Sequence, residues 1–376
     1  MEVRELDSIK QDGRTVVFLH FEPMQSYLIL AGSDLPEAKK RAKPMLTLPL
    51  SRNWSYDGGD ENALTLDTCQ YILGEGGEYS EPRNILDIME KLLAERANDK
   101  IKLRFTFEID ENADVQNMRS FRLVSELTDE FSISVNGNEV KWDGSSWWLD
   151  KSFKSIDIKQ FVKPGVNEII VDGAFAQRQK VYDVLFGKNV LETERNKLTY
   201  DTELESFYLV GDFSVYSKSG YTEGARRTLF TDGGFYITDR NTEFVGGDIV
   251  PQGYAFFAGR IKLSQTVRIK KSYGKRIAIR IPKPYAALAK VYVDNQFVKT
   301  LLWSDYEADI SDFVKPGSDA KITLELVIPN RNLMGPHHNP QGESYGISPG
   351  SFSPHLNYSP SSWRERYCFV KAGLGE

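Results

Sequence analysis

The chain has 376 residues, which is enough for two or three domains that each bury a hydrophobic core. Its composition is that of an ordinary globular protein and excludes the disordered and collagen-like classes. The formal net charge is −6, and the sequence has neither a long basic run nor an apolar run of membrane-spanning length. We therefore expect neither nucleic acid nor a membrane as a partner.

The first part of the chain has the pattern of the end of a domain. Its opening residues, MEVRELDSIKQDGR, contain no apolar core and no cleavage site, so they do not form a signal peptide. Two apolar runs, 15–23 and 26–33, predict strands joined by a turn at Pro23. An isolated hairpin is only marginally stable in water. We therefore interpret 1–35 as the last strands of a preceding β-domain and 36–44 as a charged linker.

This interpretation makes the chain a fragment of a longer protein. It leaves the compartment open between the bacterial cytoplasm and secretion.

Residues 45–185 alternate apolar and polar side chains over short runs, which predicts the strands of a β-sandwich. One amphipathic helix is predicted over 83–97, because apolar side chains recur there at helical spacing and Asn84 can cap the first turn. The predicted strands are 46–50, 63–73, 101–109, 119–127, 131–137, 155–158 and 167–173.

Residues 186–204 are polar and weakly patterned, and we interpret them as a connector. Alternation returns in 205–376, which predicts a second sandwich. Its predicted strands are 205–216, 234–239, 255–269, 276–281, 289–295, 321–328 and 366–374. The predicted fold class is therefore all-β, with two sandwiches in tandem and one inserted helix.

A nine-residue block occurs twice in the sequence. DIKQFVKPG (157–165) and DISDFVKPG (309–317) agree at seven of nine positions. In each block Pro presets φ and Gly supplies the positive φ of a turn. Each block also follows a pair of turn residues, which are Asn136-Gly137 and Asp294-Asn295. The offset is about one domain length, which indicates two copies of one sandwich rather than a solenoid.

Tryptophan and aspartate lie between the turn and the block in both copies. An indole stacks on the apolar C–H face of a sugar while carboxylates bind hydroxyls, so these loops are candidate carbohydrate-binding sites. The other interpretation is that the tryptophans pack over the open end of the sandwich. The residues are Trp142, Asp143, Trp147, Trp148 and Asp150 in the first copy, and Trp303 and Asp305 in the second.

The order of these elements resembles the galactose-binding-like jelly roll of large glycoside hydrolases, as in the sugar-binding domains of family 2 β-glycosidases. Several segments resemble the C-terminal region of α-L-rhamnosidases of family 106. These segments are NALTLDTCQY (62–71), YLVGDFSV (208–215), FYITD (235–239), GDIVPQGYAFFAGRIKL (247–263) and NRNLMGPHHNPQGE (330–343). The resemblance covers about residues 45–374. It implies tandem galactose-binding-like jelly rolls, with the catalytic carboxylates on a barrel domain upstream.

The segment GPHHNPQGE (335–343) is a further candidate site. Its His337, His338 and Glu343, together with Arg331, predict a polar loop packed at a domain junction. Adjacent histidines also suit a metal, but zinc sites have three or four ligands at recurring spacings. We therefore predict no metal and no cofactor, and nothing in the sequence indicates a structural calcium.

No pair of carboxylates stands in a motif that would predict glycoside hydrolysis. Glu205 and Asp212 flank one strand and are interpreted as edge or turn residues. The leading hypothesis is a non-catalytic accessory region that binds carbohydrate or supports the catalytic domain of the same polypeptide. Two alternatives stay open. One is a self-contained glycosidase or metal-dependent hydrolase with its site at the module junction, and the other is a purely structural or adhesive protein.

Overall fold

The computed structural model of the chain describes residues 6, 8–19, 21, 26–32, 46–126, 131–271, 276–303, 305–347, 349–352 and 366–375. Within these ranges the chain is mainly β-structure, and its sheets form two β-sandwiches, as the alternation predicts. No helix in these ranges is long and apolar enough to cross a membrane.

The strands of the first half, in chain order, are β1 (Ser8–Gln11), β2 (Arg14–Val17), β3 (Leu46–Thr47), β4 (Asn53–Gly59), β5 (Asn62–Leu66), β6 (Thr68–Leu73), β7 (Arg83–Asn84), β8 (Asp99–Ile109), β9 (Phe121–Ser125), β10 (Ser132–Val135), β11 (Asn138–Val140), β12 (Trp147–Trp148), β13 (Asp150–Asp157) and β14 (Gly165–Phe175). Those of the second half are β15 (Phe207–Gly211), β16 (Phe213–Ser217), β17 (Thr222–Glu223), β18 (Thr228–Thr231), β19 (Phe235–Asp239), β20 (Glu243–Val245), β21 (Gly259–Arg268), β22 (Ile277–Arg280), β23 (Leu288–Val293), β24 (Gln296–Leu301), β25 (Glu307–Asp309), β26 (Asp319–Ile328) and β27 (Tyr367–Val370). The helices are α1 (Ile85–Glu95), α2 (Gln179–Phe186), α3 (Glu192–Arg195) and α4 (Arg331–Met334).

The first sandwich packs a large sheet against a five-stranded sheet. The large sheet has the order β11-β10-β14-β8-β19-β16, with β6 also paired to β8, and the five-stranded sheet has the order β12-β13-β9-β15-β5. Alternate side chains of β8, from Ile101 to Ile109, are buried because strand side chains alternate between faces. Phe105 of β8 contacts Phe207 of β15 with ring centroids 5.0 Å apart, so the core lies between these two sheets.

The second sandwich has the same plan. Its large sheet has the order β20-β4-β21-β26-β23-β24, and its smaller sheet has the order β25-β22-β3. Leu263 and Leu324 of the large sheet and Ile279 of the smaller one are fully buried. A further small sheet pairs β27 with β18 and β17.

The two copies of the repeat occupy equivalent positions in the two sandwiches. In each copy a hairpin, β10–β11 or β23–β24, pairs with the long strand that follows the block, and that strand pairs in turn with β8 or β21. Both hairpin turns have the left-handed backbone that the sequence predicts. The φ angles are 49° and 80° at Asn136 and Gly137, and 48° and 67° at Asp294 and Asn295.

Strand pairing crosses the predicted boundary at 186–204 in both directions. From the C-terminal side, β15 pairs with β9 and β5, and β19 pairs with β8. From the N-terminal side, β4 pairs with β21 and β3 with β22. The sheets therefore do not divide at 45–185 and 205–376. The physical reason is that alternation identifies a strand but not the neighbour it pairs with.

The predicted helix is confirmed as α1. The Asn84 side chain accepts a hydrogen bond from the Leu86 N–H, which caps the first turn. Helices α2 and α3, however, were not predicted. Helix α2 buries Val181, Tyr182 and Val184, but its eight residues give too few turns for the helical period to stand out.

The N-terminal hairpin differs from the prediction. β2 pairs with β1 across Asp12 and Gly13, whose φ angles are 50° and 73°, rather than with 26–33. The Asp-Gly pair suits a two-residue hairpin turn and determines this pairing. Residues 26–32 are exposed and lie in no strand. Pro23 and the predicted linker 36–44 lie outside the described residues, and the assignment of 1–35 to a preceding domain stays a prediction.

Candidate functional site

The outer side of the five-stranded sheet carries a cluster of rings, which we call the aromatic face: Trp148, Phe153 and Tyr208. The Tyr208 ring centroid lies 6.0 Å from that of Trp148 and 5.7 Å from that of Phe153, which meets it edge-on. Trp148 and Phe153 are half-buried, whereas Tyr208 is 9% exposed. These rings belong to a hydrophobic cluster separate from the main core, because they point away from the space between the sheets.

Helix α4 borders the aromatic face. Leu333 is buried in the same cluster, and Met334 packs half-buried against it. The Thr65 hydroxyl on β5 donates to the Leu333 carbonyl at 2.7 Å. A segment that follows the second sandwich in the chain therefore packs on the outer surface of the first.

Carboxylates lie beside the aromatic face. Burial raises the pKa of Glu205 to about 7, and repulsion from Glu126 and Glu203 adds to this. Glu126 is exposed and accepts from the Ser152 hydroxyl at 2.8 Å. Burial, Glu205 and Glu126 also raise the pKa of Tyr208, because both carboxylates lie near its hydroxyl. At neutral pH Glu205 is partly protonated, so it can donate as well as accept a hydrogen bond.

Trp142 and Asp143 stabilise their own loop. The Trp142 Nε1–H donates to the Ser146 carbonyl at 2.7 Å. The Asp143 carboxylate accepts from the backbone N–H groups of Ser145 and Ser146, each at 2.7 Å, and from both hydroxyls. The hydrogen bonds from Ser146 and Ser145 lower the pKa of Asp143. This carboxylate therefore holds the turn that leads into β12.

The remaining predicted residues of the Trp/Asp loops are distributed over two sheets. Asp150 accepts from the N–H and hydroxyl of Ser152, and Trp147 is 50% exposed on β12. Trp303 and Asp305 follow β24 in the second sandwich, and Trp303 is 38% exposed. Of the predicted tryptophans, Trp148 is the one that contributes to the aromatic face.

A second group of polar residues, which we call the junction cluster, contains Asp67, His337, His338 and Tyr367. The Asp67 Oδ2 accepts from His338 Nε2 at 2.9 Å, and Oδ1 accepts from the Tyr367 hydroxyl at 2.7 Å. His337 Nε2 donates to the Asn332 carbonyl at 2.9 Å. Asp67 follows β5, whereas both histidines follow α4, so the cluster connects the two sandwiches through buried hydrogen bonds.

The pKa values of Asp67 and His337 in the junction cluster are both lowered. Burial raises the pKa of Asp67, but the charge and hydrogen bond of His338, with His337 and Tyr367, outweigh it and lower the pKa to about 2. Burial lowers the pKa of His337 to about 4, although Asp67 partly opposes this. At neutral pH Asp67 is therefore ionised and His337 is neutral.

Arg331 and Glu343 form a separate ion pair near this cluster. The Arg331 Nε and Nη2 atoms lie 2.8 and 2.7 Å from Glu343 Oε2, and the Arg331 side chain is only 8% exposed. The predicted polar loop is thus divided between an ion pair and a histidine–aspartate cluster. Across the described ranges, no group of three or more His, Cys, Asp or Glu side chains is placed to hold a metal ion.

Sequence reasoning missed three residues of these sites. Asp67 and Tyr367 are separated from each other by 300 positions, so no local motif connects them. Glu205 was interpreted as an edge or turn residue. Its only signal is that it alternates with Glu203 directly before the fully buried strand β15.

No protein-family model matches the sequence, and no curated protein matches it. Solved structures that match include β-D-mannosidase from Dictyoglomus thermophilum, with 12% identity, a TM-score of 0.26 and coverage of 71% of this chain and 31% of that chain. β-Glucuronidase from Ruminococcus gnavus gives 10% identity and a TM-score of 0.28, with 76% and 46% coverage. A rhamnosidase from Novosphingobium sp. PP1Y gives 13% identity and a TM-score of 0.23, with 73% and 22% coverage. The chain spans less than half the length of each of these proteins.

Proposed function

We propose that this chain is a non-catalytic region of a larger carbohydrate-active enzyme and that it binds glycan on the aromatic face of its first sandwich. The observation that carries the proposal is the half-buried indole of Trp148, which packs against Tyr208 with Glu126 and Glu205 beside them. We also propose that both sandwiches are galactose-binding-like jelly rolls.

The chemistry of the aromatic face suits a sugar. An indole held on one side by other rings presents its free side as a rigid, flat surface, which loses little entropy when a ligand stacks on it. The exposed Glu126 carboxyl can accept hydrogen bonds from sugar hydroxyls, whereas Glu205 exchanges between acceptor and donor. Stacking and directional hydrogen bonds together provide both affinity and orientation.

The remainder of the proposed polypeptide would contact the N-terminal region. Tyr27, Leu28, Ile29 and Leu30 form a run of exposed large hydrophobic side chains in the described segment 26–32. Contiguous exposed apolar residues mark interaction sites. We propose that this run packs against the catalytic domain of the same polypeptide, upstream in the chain.

The test compares two neighbouring tryptophans. Trp148→Ala removes the stacking surface, whereas Trp147→Ala removes an equally large side chain that is half exposed on the same strand. Calorimetric titration with a panel of neutral plant and host oligosaccharides is expected to show binding by the unchanged chain and a loss of about tenfold or more in Trp148→Ala. Trp147→Ala is expected to bind within about twofold of the unchanged chain.

Three outcomes would contradict the proposal. If no oligosaccharide binds the unchanged chain, the scaffold alternative is favoured. If both variants bind equally well, glycan binds somewhere other than the aromatic face. Turnover of aryl glycosides by the purified chain, abolished in Glu205→Gln, would instead favour the self-contained glycosidase, because a carboxyl group with a raised pKa suits a general acid.

A further inference from the structure

The large sheet of the first sandwich contains a gap. β8 pairs with β6 over Ile101–Arg104 and with β19 over Glu108–Ile109 along the same edge. Neither strand pairs with residues 105–107 in the described register, whereas β14 covers the opposite edge of β8 along its whole length. A cavity of about 260 Å³ lies at this gap, and its walls come from β5, β6, β8, β14, β19 and β27.

We infer that this cavity is a binding site for one neutral, polyhydroxylated ring of monosaccharide size, distinct from the aromatic face. Its lining includes Asp67, Thr68, Thr106, Glu108, Phe235 and Tyr367. The inference does not depend on glycan binding at Trp148, because neither Trp148 nor Tyr208 lines this cavity.

The polar lining matches the hydroxyl groups of such a ligand. Thr68 and Thr106 are exposed, and each threonine hydroxyl can both donate and accept. A carboxylate offers about four acceptor positions. Three of those on Asp67 are occupied by the Tyr367 hydroxyl at 2.7 Å, the Thr68 hydroxyl at 3.3 Å and His338 Nε2 at 2.9 Å. His337 Nδ1 lies 3.7 Å from Asp67 Oδ2, and the Asp67 side chain is only 6% exposed. The exposed hydroxyls of Thr68 and Thr106 are therefore the groups available to a ligand.

The apolar lining and the size restrict the ligand further. The rings of Phe235 and Tyr367 lie 4.9 Å apart at an interplanar angle of 86°, which provides an apolar wall for the C–H groups of a sugar ring. Ligand pockets for larger molecules have volumes of about 300–1,000 Å³. A cavity just below that range accommodates a single ring.

Charge determines which rings fit. Asp67 is held ionised, and Glu108 is a second carboxylate at the cavity, paired with Lys218 at 2.5 Å. The carboxylate of Asp67 lines the cavity, and the described residues of the lining include no lysine, arginine or histidine. A ligand that carries its own carboxylate would meet this carboxylate at short range and lose affinity. The site therefore selects neutral sugars over uronic acids.

The experiment closes the cavity with one bulky side chain. Thr106→Trp fills the entrance at an exposed position of β8, and Thr266→Trp makes the same change at an exposed position of β21, the equivalent strand of the second sandwich. Ligand-observed NMR with galactose, glucose, mannose, rhamnose and glucuronate is expected to show saturable, millimolar binding of at least one neutral sugar. Glucuronate is expected to bind about tenfold more weakly.

Thr106→Trp is expected to abolish this binding, whereas Thr266→Trp and Trp148→Ala are expected to preserve it. Thr106→Ala, which removes only a hydroxyl, is expected to weaken it by a few-fold while leaving the fold intact. The inference is overturned if no neutral monosaccharide saturates, if glucuronate binds as well as the neutral sugars, or if Thr106→Trp binds like the unchanged chain. Loss of oligosaccharide binding in Trp148→Ala concerns the aromatic face alone, so the two sites fail independently.

Discussion

The two copies of the repeated block form the same turn with different hydrogen-bond partners. In the first copy the buried Asn167 side chain accepts from the Lys163 N–H at 2.9 Å. It also donates to the carbonyls of Lys163 and Gly165 at 2.7 and 3.0 Å. One buried amide therefore satisfies three backbone groups of the Lys-Pro-Gly turn.

The second copy closes its turn with the backbone. The Asn136 N–H donates to the Glu168 carbonyl, and the Asp294 N–H donates to the Lys321 carbonyl, so Glu168 and Lys321 are equivalent. The residue before Lys321 is Ala320, which is therefore the equivalent of Asn167. The Gly317 N–H instead donates to the Ile269 carbonyl at 2.6 Å, and the Ile269 N–H donates to the Ser318 carbonyl at 2.9 Å. The repeated block therefore forms the same turn in both copies, but different hydrogen-bond partners satisfy the backbone N–H and C=O groups of that turn.

The largest expected effect on stability concerns the Asn167 amide, which is present in the first turn and absent from the second. Asn167→Ala leaves three backbone groups of the turn and the Asn136 amide without this partner, so we expect it to lower the free energy of unfolding by about 4 kcal/mol. Ser318→Ala removes one exposed hydroxyl hydrogen bond to Lys315, and we expect a loss below about 1 kcal/mol. Urea unfolding followed by circular dichroism measures both. Equal losses would mean that the amide is not what holds the first turn.

The sequence predicted much of this framework because the relevant signals are local. Turn pairs such as Asn136-Gly137, the cap at Asn84 and the alternation in β8 each depend on neighbours within a few residues. The exchange of β4 and β15 between sandwiches depends instead on pairings between distant segments. Side-chain alternation has the same appearance whichever sheet a strand joins, so the pattern could not show it.

The residues of the candidate sites also differ in whether local sequence could reveal them. Trp148 was recognisable because a tryptophan in a polar loop is conspicuous in sequence. Asp67 and Glu205 were not, because their properties come from burial and from distant partners. The predicted Asp143 illustrates the converse, since a carboxylate near tryptophan suggested sugar binding but its oxygens hold a turn.

The pH dependence of stability distinguishes contacts made by titrating side chains from contacts made by side chains that do not titrate. The buried His337 has a pKa of about 4 in the folded chain against 6.5 for the free side chain, so the unfolded chain binds its proton first. Its contribution to stability is therefore lost as the pH falls from about 6.5 to about 4, by about 3 kcal/mol in total. The Asn167 amide does not titrate, so the loss in Asn167→Ala is expected to be constant over this range.

The measurement is the difference in unfolding free energy between the unchanged chain and His337→Gln at several pH values. This difference is expected to decrease with acid. Glu205 gives the opposite slope, because its raised pKa stabilises the folded chain as the pH falls from about 7. The difference between the unchanged chain and Glu205→Gln is therefore expected to increase with acid. Slopes of the same sign for the two variants would contradict these environments.

The smallest expected effect concerns the hairpin turns of the two copies. Asn136 and Asp294 both have φ near 50°, where glycine is unstrained, so substitution by glycine tests their side-chain bonds alone. Asn136→Gly loses amide bonds to the Phe161 carbonyl and Asn167 and a bond from the Glu168 N–H, and we expect a loss of about 2 kcal/mol.

Asp294→Gly loses one exposed bond from the Lys321 N–H, at 2.9 Å, and we expect a change within about 0.5 kcal/mol. Thermal and urea unfolding of the pair measure the difference. The expected order follows from the same asymmetry as at the turn of the repeated block, because the first hairpin is connected to the buried Asn167 and the second is not. If Asp294→Gly destabilised the chain as much as Asn136→Gly, the side-chain network around Asn167 would not distinguish the two copies.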